Sequence, residues 1–370
     1  MTETTQAKPK AGKLRKAMIL LLGLLLFLFS IDLLTLSMIR LNNDLVEELL
    51  NATDNPFIGL FVGLLMTALV QSSSTVTAMV VAVVASGSLT LSQAVPVVMG
   101  ANIGTTITST LVAFSFFLKK GEFKRAMSAG VVHDIFNILT VLILFPLEFY
   151  FDFLSKLATR LTIYFFDANN VLDTSYTYNV LFTRPVTNWL YELLNMPILT
   201  LILAVVLLLL SIKFLSSAVL DTFITQDVKN LNKHIFKDPF IAFLYGMIAT
   251  AAIQSSTVTT SLVVPAVANR KVSLMKVFPF IIGANIGTTI TAAIAAIYKT
   301  EAAISLAIVH FLFNLMGALI FLPSKSLRNI PVRLAIFLGS KSADFKIIAL
   351  AYILLTFFII PFLLIYFNKQ

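Results

Sequence analysis

The sequence predicts an all-α polytopic membrane protein made of two inverted-topology repeats, each with a re-entrant helical hairpin and a broken transmembrane helix. Three observations predict it. Of the 370 residues, 58% are hydrophobic and only 12% charged, with a mean hydropathy of +0.93, about half the charge typical of a soluble domain. Four uninterrupted apolar stretches, 17–39, 197–220, 302–322 and 347–367, are long enough for a hydrocarbon core of about 30 Å, which takes roughly 20 helical residues. One polar passage is written twice: GANIGTTIT runs from Gly100 to Thr108 and from Gly283 to Thr291, each copy starting 29 residues after the glutamine of a serine-rich break. Those breaks are Gln71-Ser72-Ser73-Ser74 and Gln254-Ser255-Ser256-Thr257. Polar, glycine-rich backbone at membrane depth is tolerated where it is buried in protein or lines a cavity. Two such breaks in register predict one site built from two halves.

Residues 1–16 form a basic tail with Lys8, Lys10, Lys13, Arg15 and Lys16, cytoplasmic by the bias of basic clusters toward the inner face. The apolar run behind it is longer than a signal core of about 7–15 residues and lacks a small-x-small cleavage site, so it reads as a membrane helix. Repeat 1 covers 17–166. Its entry helix leads to an acidic stretch with Asp44, Glu47, Glu48 and Asp54, and hairpin arms follow at 57–70 and 75–85. The span through GANIGTT ends at Lys119, Lys120, Lys124 and Arg125, and the helix carrying His133 runs to Glu148 and Asp152. Residues 167–196 are read as an extracellular linker. Repeat 2 covers 197–322, with a helix toward Lys229, Lys233 and Lys237, arms at 240–253 and 258–268, and a hairpin base at Arg270, Lys271 and Lys276. Residues 323–370 hold an interfacial segment with Lys325, Arg328, Arg333, Lys341 and Lys346, then a last span that puts the carboxyl terminus outside.

An offset of 183 residues pairs Pro56-Phe57 with Pro239-Phe240 and Pro96 with Pro279, besides the motifs. After a six-residue shift, His133, Phe136 and Asn137 pair with His310, Phe313 and Asn314, and Pro146 with Pro323. Arms of about 11–14 residues reach only about 16–21 Å at 1.5 Å per residue, so the hairpins stop inside the membrane. The flanking charges then place the first hairpin's base outside and the second's inside. Such inverted repeats are the arrangement of many secondary transporters, with sites near the midplane at the repeat interface.

A helix that ends within the membrane exposes unpaired backbone groups and the partial charge of its dipole. Serine and threonine hydroxyls suit the start of a half-helix and can donate to an oxyanion, while Gln71 and Gln254 add amides that donate or accept. A hard monovalent cation such as sodium takes neutral oxygens, which Asn102, Thr105, Thr106, Asn285, Thr288 and Thr289 carry without buried charge. Gly100, Gly104, Gly283 and Gly287 are expected to permit backbone turns there. The alternative is that these small residues merely let helices pack closely; a duplicated run at equal spacing favours the functional reading. His133 with Asn137 and His310 with Asn314 are i, i+4 pairs. They either support the GANIGTT break and sense protons or, the preferred reading, hydrogen-bond between helices. Asp32 and Asp134 are further intramembrane ionisable residues. Asn51-Ala52-Thr53 fits a weak glycosylation sequon.

Zero cysteines exclude disulfides and thiolate chemistry, and the +9 charge is spread over span ends rather than gathered as a nucleic-acid face.

In its paired QSSS and QSST breaks, its GANIGT runs and its HDxFN helix (His133-Asp134-Ile135-Phe136-Asn137), the chain resembles the type II sodium-phosphate cotransporter family over about residues 17–322. The resemblance implies sodium-coupled uptake of inorganic phosphate, not enzymatic turnover. It implies phosphate at Gln71, Ser72, Ser73, Ser74, Gln254, Ser255, Ser256 and Thr257. Sodium falls at Gln71, Ser73, Gln254 and Ser256, with Asn102, Thr105, Thr106, Asn285, Thr288 and Thr289; His133, Asn137, His310 and Asn314 stand behind them. Thr257 departs from the usual serine but keeps the hydroxyl. The short linker and the end soon after the last helix read as a compact bacterial form in the cell membrane. No cofactor is expected, with sodium as the coupling ion. The expected partners are phosphate, sodium and the lipid bilayer, a homodimer being a further option and nucleic acid excluded. Two alternatives stay open: another oxyanion, sulfate or a dicarboxylate, on the same fold, and a membrane-embedded hydrolase using His133, His310 and a motif serine.

Overall fold

The structure, a computed structural model, describes residues 11–41, 53–166, 183–223, 235–297 and 300–367, and contains no strand among them. The sequon's Asn51, the acidic Asp44, Glu47 and Glu48, the basic Lys8, Lys10, Lys229 and Lys233, and linker residues 167–182 lie outside the described residues.

In chain order the helices are α1 Ala11–Ile39, α2 Pro56–Val70, α3 Ser73–Ala85, α4 Leu91–Gly104, α5 Ile107–Ala113, α6 Lys120–Phe151, α7 Phe153–Phe166, α8 Arg184–Leu194 and α9 Pro197–Phe223. They continue as α10 Pro239–Ile253, α11 Ser256–Ser261, α12 Val263–Ala268, α13 Leu274–Gly287, α14 Thr289–Ala296, α15 Glu301–Phe321, α16 Lys325–Asp344, α17 Lys346–Leu354 and α18 Ile360–Phe367. Seven segments of the described residues are long and apolar enough to cross a membrane: 18–39, 91–116, 120–151, 197–217, 274–296, 301–321 and 346–367. They coincide with the seven crossings expected from the charges. The short apolar helices α2, α3 and α10, and α11 with α12, are the four hairpin arms.

The hairpins begin at matching caps, Asn55 accepting from the Phe57 N–H at 3.0 Å and Asp238 from those of Phe240 and Ile241 at 2.8 and 3.1 Å. Each has proline at its first turn, where a missing N–H costs nothing. The second arms differ. α3 is continuous, whereas α11 and α12 are separated at Leu262, because Pro265 cannot donate to the Ser261 carbonyl and its ring crowds it.

The broken spans need one correction. No glycine of either GANIGTT run has a positive φ; each run stays helical to its second glycine, and the interruption is confined to Thr105-Thr106 and to Thr288. Those glycines serve close approach. A β-carbon on Gly100 would fall 1.8 Å from the Leu60 carbonyl oxygen, and one on Gly283 1.9 Å from that of Phe243. α2 thus lies backbone to backbone on α4, and α10 on α13, with Gly63 and Gly246 completing the contacts.

The long helix α6 carries a hairpin base at each end. Near its carboxyl end, Phe145 and Phe149 pack on Phe57, the start of the first hairpin, with ring centroids 5.0 and 5.7 Å away. Near its amino end, the Arg125 Nε donates to the Ala268 carbonyl at 2.7 Å, the end of the second hairpin. α16 also lies along this amino-terminal half, where Gly339 meets Ser128 and Lys124. Lys120 stands 2.8 Å from Asp344, and its hydrogen bond and charge hold that carboxyl below its usual range.

The linker is not all loop, since Arg184–Leu194 is helical and returns to α1. Arg184 and Asp32 form an ion pair at 3.1 Å with side chains 4% and 0% exposed, and the Thr183 and Thr187 hydroxyls donate to Asp32 at 3.2 and 2.9 Å. A charge pair so enclosed is tolerated because additional hydrogen bonds satisfy the carboxylate.

Candidate functional site

The two serine breaks meet. At each tip the first arm closes on a glutamine in the left-handed region, Gln71 at φ 59° and Gln254 at φ 57°, whose N–H groups donate to Thr67 and Thr250 at 2.7 and 2.6 Å. Non-glycine residues rarely adopt this conformation, and here it reverses the chain within the membrane segment. Ser72 and Ser255 act as helix caps, their hydroxyls accepting from the Thr75 and Val258 N–H groups at 3.2 and 3.3 Å. Across the repeats, the Ser74 hydroxyl donates to the Gln254 carbonyl at 3.3 Å, and the Thr257 hydroxyl to the Gln71 carbonyl at 3.4 Å. Ser73, Ser74 and Ser256 are buried, and the Gln254 Oε1 is buried without a hydrogen-bond partner.

Each hairpin's second arm also packs on the other repeat's segment after GANIGTT, α3 on α14 and α11 on α5. In the latter contact the Ser109 and Thr260 hydroxyls are 3.0 Å apart.

A second polar layer holds the asparagines. Asn102, Asn137, Asn285 and Asn314 come from α4, α6, α13 and α15 and are all buried. Asn285 donates to the Asn137 and Asn314 side-chain oxygens at 2.8 and 2.7 Å, and Asn137 to the Asn102 carbonyl at 2.6 Å. Asn314 donates to the His310 carbonyl at 2.9 Å and more loosely to Asn102 Oδ1 at 3.4 Å. The interhelical reading of the His–Asn pairs is thus realised by their asparagines. His133 lies beside Asn285, and the ring nitrogens of both His133 and His310 are buried outside hydrogen-bond geometry with any partner. Thr105, Thr106, Thr288 and Thr289 donate to carbonyls three or four residues back, at 2.8–3.1 Å, which leaves their oxygen lone pairs able to face a cation. Among the described residues no hydrogen bond joins the tip hydroxyls to the asparagine layer, so the predicted residues fall into two adjacent groups.

Sequence reasoning missed Arg184, which sits in a polar stretch with no motif around it, and Tyr352, whose hydroxyl donates to Asp134 at 2.9 Å. Asp134 was visible as an intramembrane acid, but its partner was not.

Because Asn285 supplies protons to two buried acceptors, Asn285→Ala should cost about 2–4 kcal/mol, a buried acceptor left unpaired costing about 1–3 kcal/mol. Asn102→Ala, which loses an accepted bond of 3.4 Å and a donated bond of 2.8 Å to the Val98 carbonyl of its own helix, should cost less. Melting temperatures of the two variants in detergent check the order; equal values would mean the layer does not hold the helices.

A multi-pass helical bundle with polar helix ends from two homologous halves meeting inside it defines a membrane carrier rather than a soluble enzyme. The Na+/Pi-cotransporter family model matches residues 26–145 and 207–340, and the chain belongs to that family. It is 32% identical to the sodium-dependent phosphate transport protein 2A of sheep over 96% of this chain and 70% of that one. It is 31% identical to the 2A protein of mouse over 94% and 67%, and 29% identical to the 2B protein of human over 93% and 64%. The chain thus spans about two thirds of the length of these relatives. No solved structure matches it. The family consists of cotransporters, which removes the hydrolase alternative.

Proposed function

We propose that this protein is a secondary active transporter in the cell membrane that carries inorganic phosphate inward with sodium, by alternating access around its two hairpin tips. The observation that carries this reading is the exchange of hydrogen bonds between Ser74 and Gln254 and between Thr257 and Gln71, which makes one composite site from both repeats. Phosphate is held by Gln71, Ser73, Ser74, Gln254, Ser256 and Thr257, with Ser72 and Ser255 shaping the helix ends. Sodium takes oxygens of Gln71, Ser73, Gln254 and Ser256 and of Asn102, Thr105, Thr106, Asn285, Thr288 and Thr289. Neither motif contains Lys or Arg, so sodium fills first and lowers the cost of admitting a divalent anion.

The two hairpins open to opposite membrane faces, with the amino terminus cytoplasmic. This orientation is supported by Phe57 against Phe145 and Phe149 at one end of α6 and Ala268 against Arg125 at the other. The basic cluster at the latter end marks it as cytoplasmic. Vesicles containing the purified protein should accumulate labelled phosphate under an inward sodium gradient, with unlabelled sulfate and dicarboxylates failing to compete. Equal uptake with potassium in place of sodium would sink the proposal.

A further inference from the structure

We infer that Tyr352, on the C-terminal span, is a positioning residue for cation binding at Asp134, so that this span is a working part of the transporter. The inference rests on the sodium-coupled reading above. The described residues include three buried carboxylates, Asp32, Asp134 and Glu148. Asp32 is paired with Arg184, and Glu148 accepts from the Leu154 and Ser155 N–H groups at 2.7 and 3.2 Å and from the Ser155 hydroxyl. Asp134 differs. It is 0% exposed, no cation of the described residues pairs with it, and its Oδ1 has no hydrogen-bond partner. The Thr110 hydroxyl is likewise buried and lies beside this carboxyl, close enough to interact with it though outside hydrogen-bond geometry. An acid enclosed among membrane helices is costly and marks an ion path, and a carboxylate oxygen next to a hydroxyl is the ligand chemistry of a hard cation.

The other carboxylate oxygen is fixed from outside both repeats. The Tyr352 hydroxyl donates to Asp134 Oδ2 at 2.9 Å. Its span lies beyond the residues matched by the family model and turns most of its surface outward, with Ile347, Leu350, Leu354 and Phe362 exposed. Ala349, Ile353 and Phe357 form the buried side around the tyrosine. A π-turn at Leu355–Ile359 follows directly, and such i to i+5 turns often mark functional sites. It brings the Phe357 ring, fully buried, edge-on to Tyr352 with centroids 6.2 Å apart. The tyrosine is therefore held by packing, and its hydroxyl sets the plane of the carboxylate. A hydrogen bond that orients a ligand in this way is worth about 10–100-fold in ion affinity when removed.

The test is the rise in melting temperature of the full-length protein in detergent as sodium replaces potassium, for the wild type, Tyr352→Phe and Phe357→Leu. Tyr352→Phe keeps the ring and should move the sodium midpoint upward about tenfold, at the low end of that range, with a melting temperature in potassium close to the wild type. Phe357→Leu loosens the packing that holds the ring but keeps the hydroxyl, so it should move the midpoint in the same direction by clearly less than Tyr352→Phe does. A Tyr352→Phe midpoint within about twofold of the wild type, or an equal shift in Phe357→Leu, overturns the inference alone. A wild-type protein indifferent to sodium overturns the sodium reading and this inference together.

Discussion

Gln71→Ala and Gln254→Ala should each abolish phosphate uptake while the protein stays folded and inserted. Both glutamines already sit at positive φ, and alanine would pay the same left-handed penalty, so the backbone term cancels. Gln71 is exposed and Gln254 half-buried, so little packing is lost, and substitutions of this kind usually change stability by no more than about 1 kcal/mol. What disappears is the amide at the meeting point of the two repeats. Gln71→Gly separates the two contributions. It relieves the left-handed conformation, so its melting temperature should not fall, yet uptake should still be lost. Wild-type uptake in these variants would mean that the tips serve packing only.

Gly100→Ala and Gly283→Ala should fail at an earlier stage. The added methyl would fall within 2 Å of a carbonyl oxygen, at 1.8 and 1.9 Å, and neither the helix bearing it nor the arm opposite can yield without moving whole. Overpacking of this kind typically costs about 1–3 kcal/mol and occasionally more, and here backbone opposes backbone, so the upper end is expected. The yield of monodisperse protein and its melting temperature should drop in both variants. Gly121→Ala is the control, because its nearest neighbour would be the flexible Arg125 side chain at 3.7 Å. A Gly100→Ala protein as stable as Gly121→Ala would mean that the first hairpin arm does not lie on the broken span.

The fold was legible because the membrane leaves few choices. Apolar length identifies spans, and clusters such as Lys119 to Arg125 divide them. The hairpin arms were read within two residues of their structural limits, since Pro56 and Pro239 begin them and the glutamines end them. The motif glycines were misassigned for a physical reason. A glycine freed for a turn and one bared for helix contact are the same letter, and only the neighbour distinguishes them. The asparagines were recognised as polar residues that must find partners, but their pairing across four helices depends on tertiary approach. Arg184 and Tyr352 carry no periodicity or motif. An arginine in a linker and a tyrosine in an apolar span each have a commoner explanation, at a surface or in an interfacial belt.

The bonds between the tips bear on how cargo is admitted. A hydroxyl has one proton to give, and Ser74 and Thr257 direct theirs to the opposite glutamine carbonyls at 3.3 and 3.4 Å. The same two groups cannot fasten the hairpins to each other and donate to an arriving anion at the same moment. On the transport reading proposed above, loading would be a substitution: the anion would draw away the donors that close the gap, and the abandoned carbonyls would be free to face a cation. A carrier working in that way would plug its own leak, because the contact closing the gap would yield to the cargo meant to pass it.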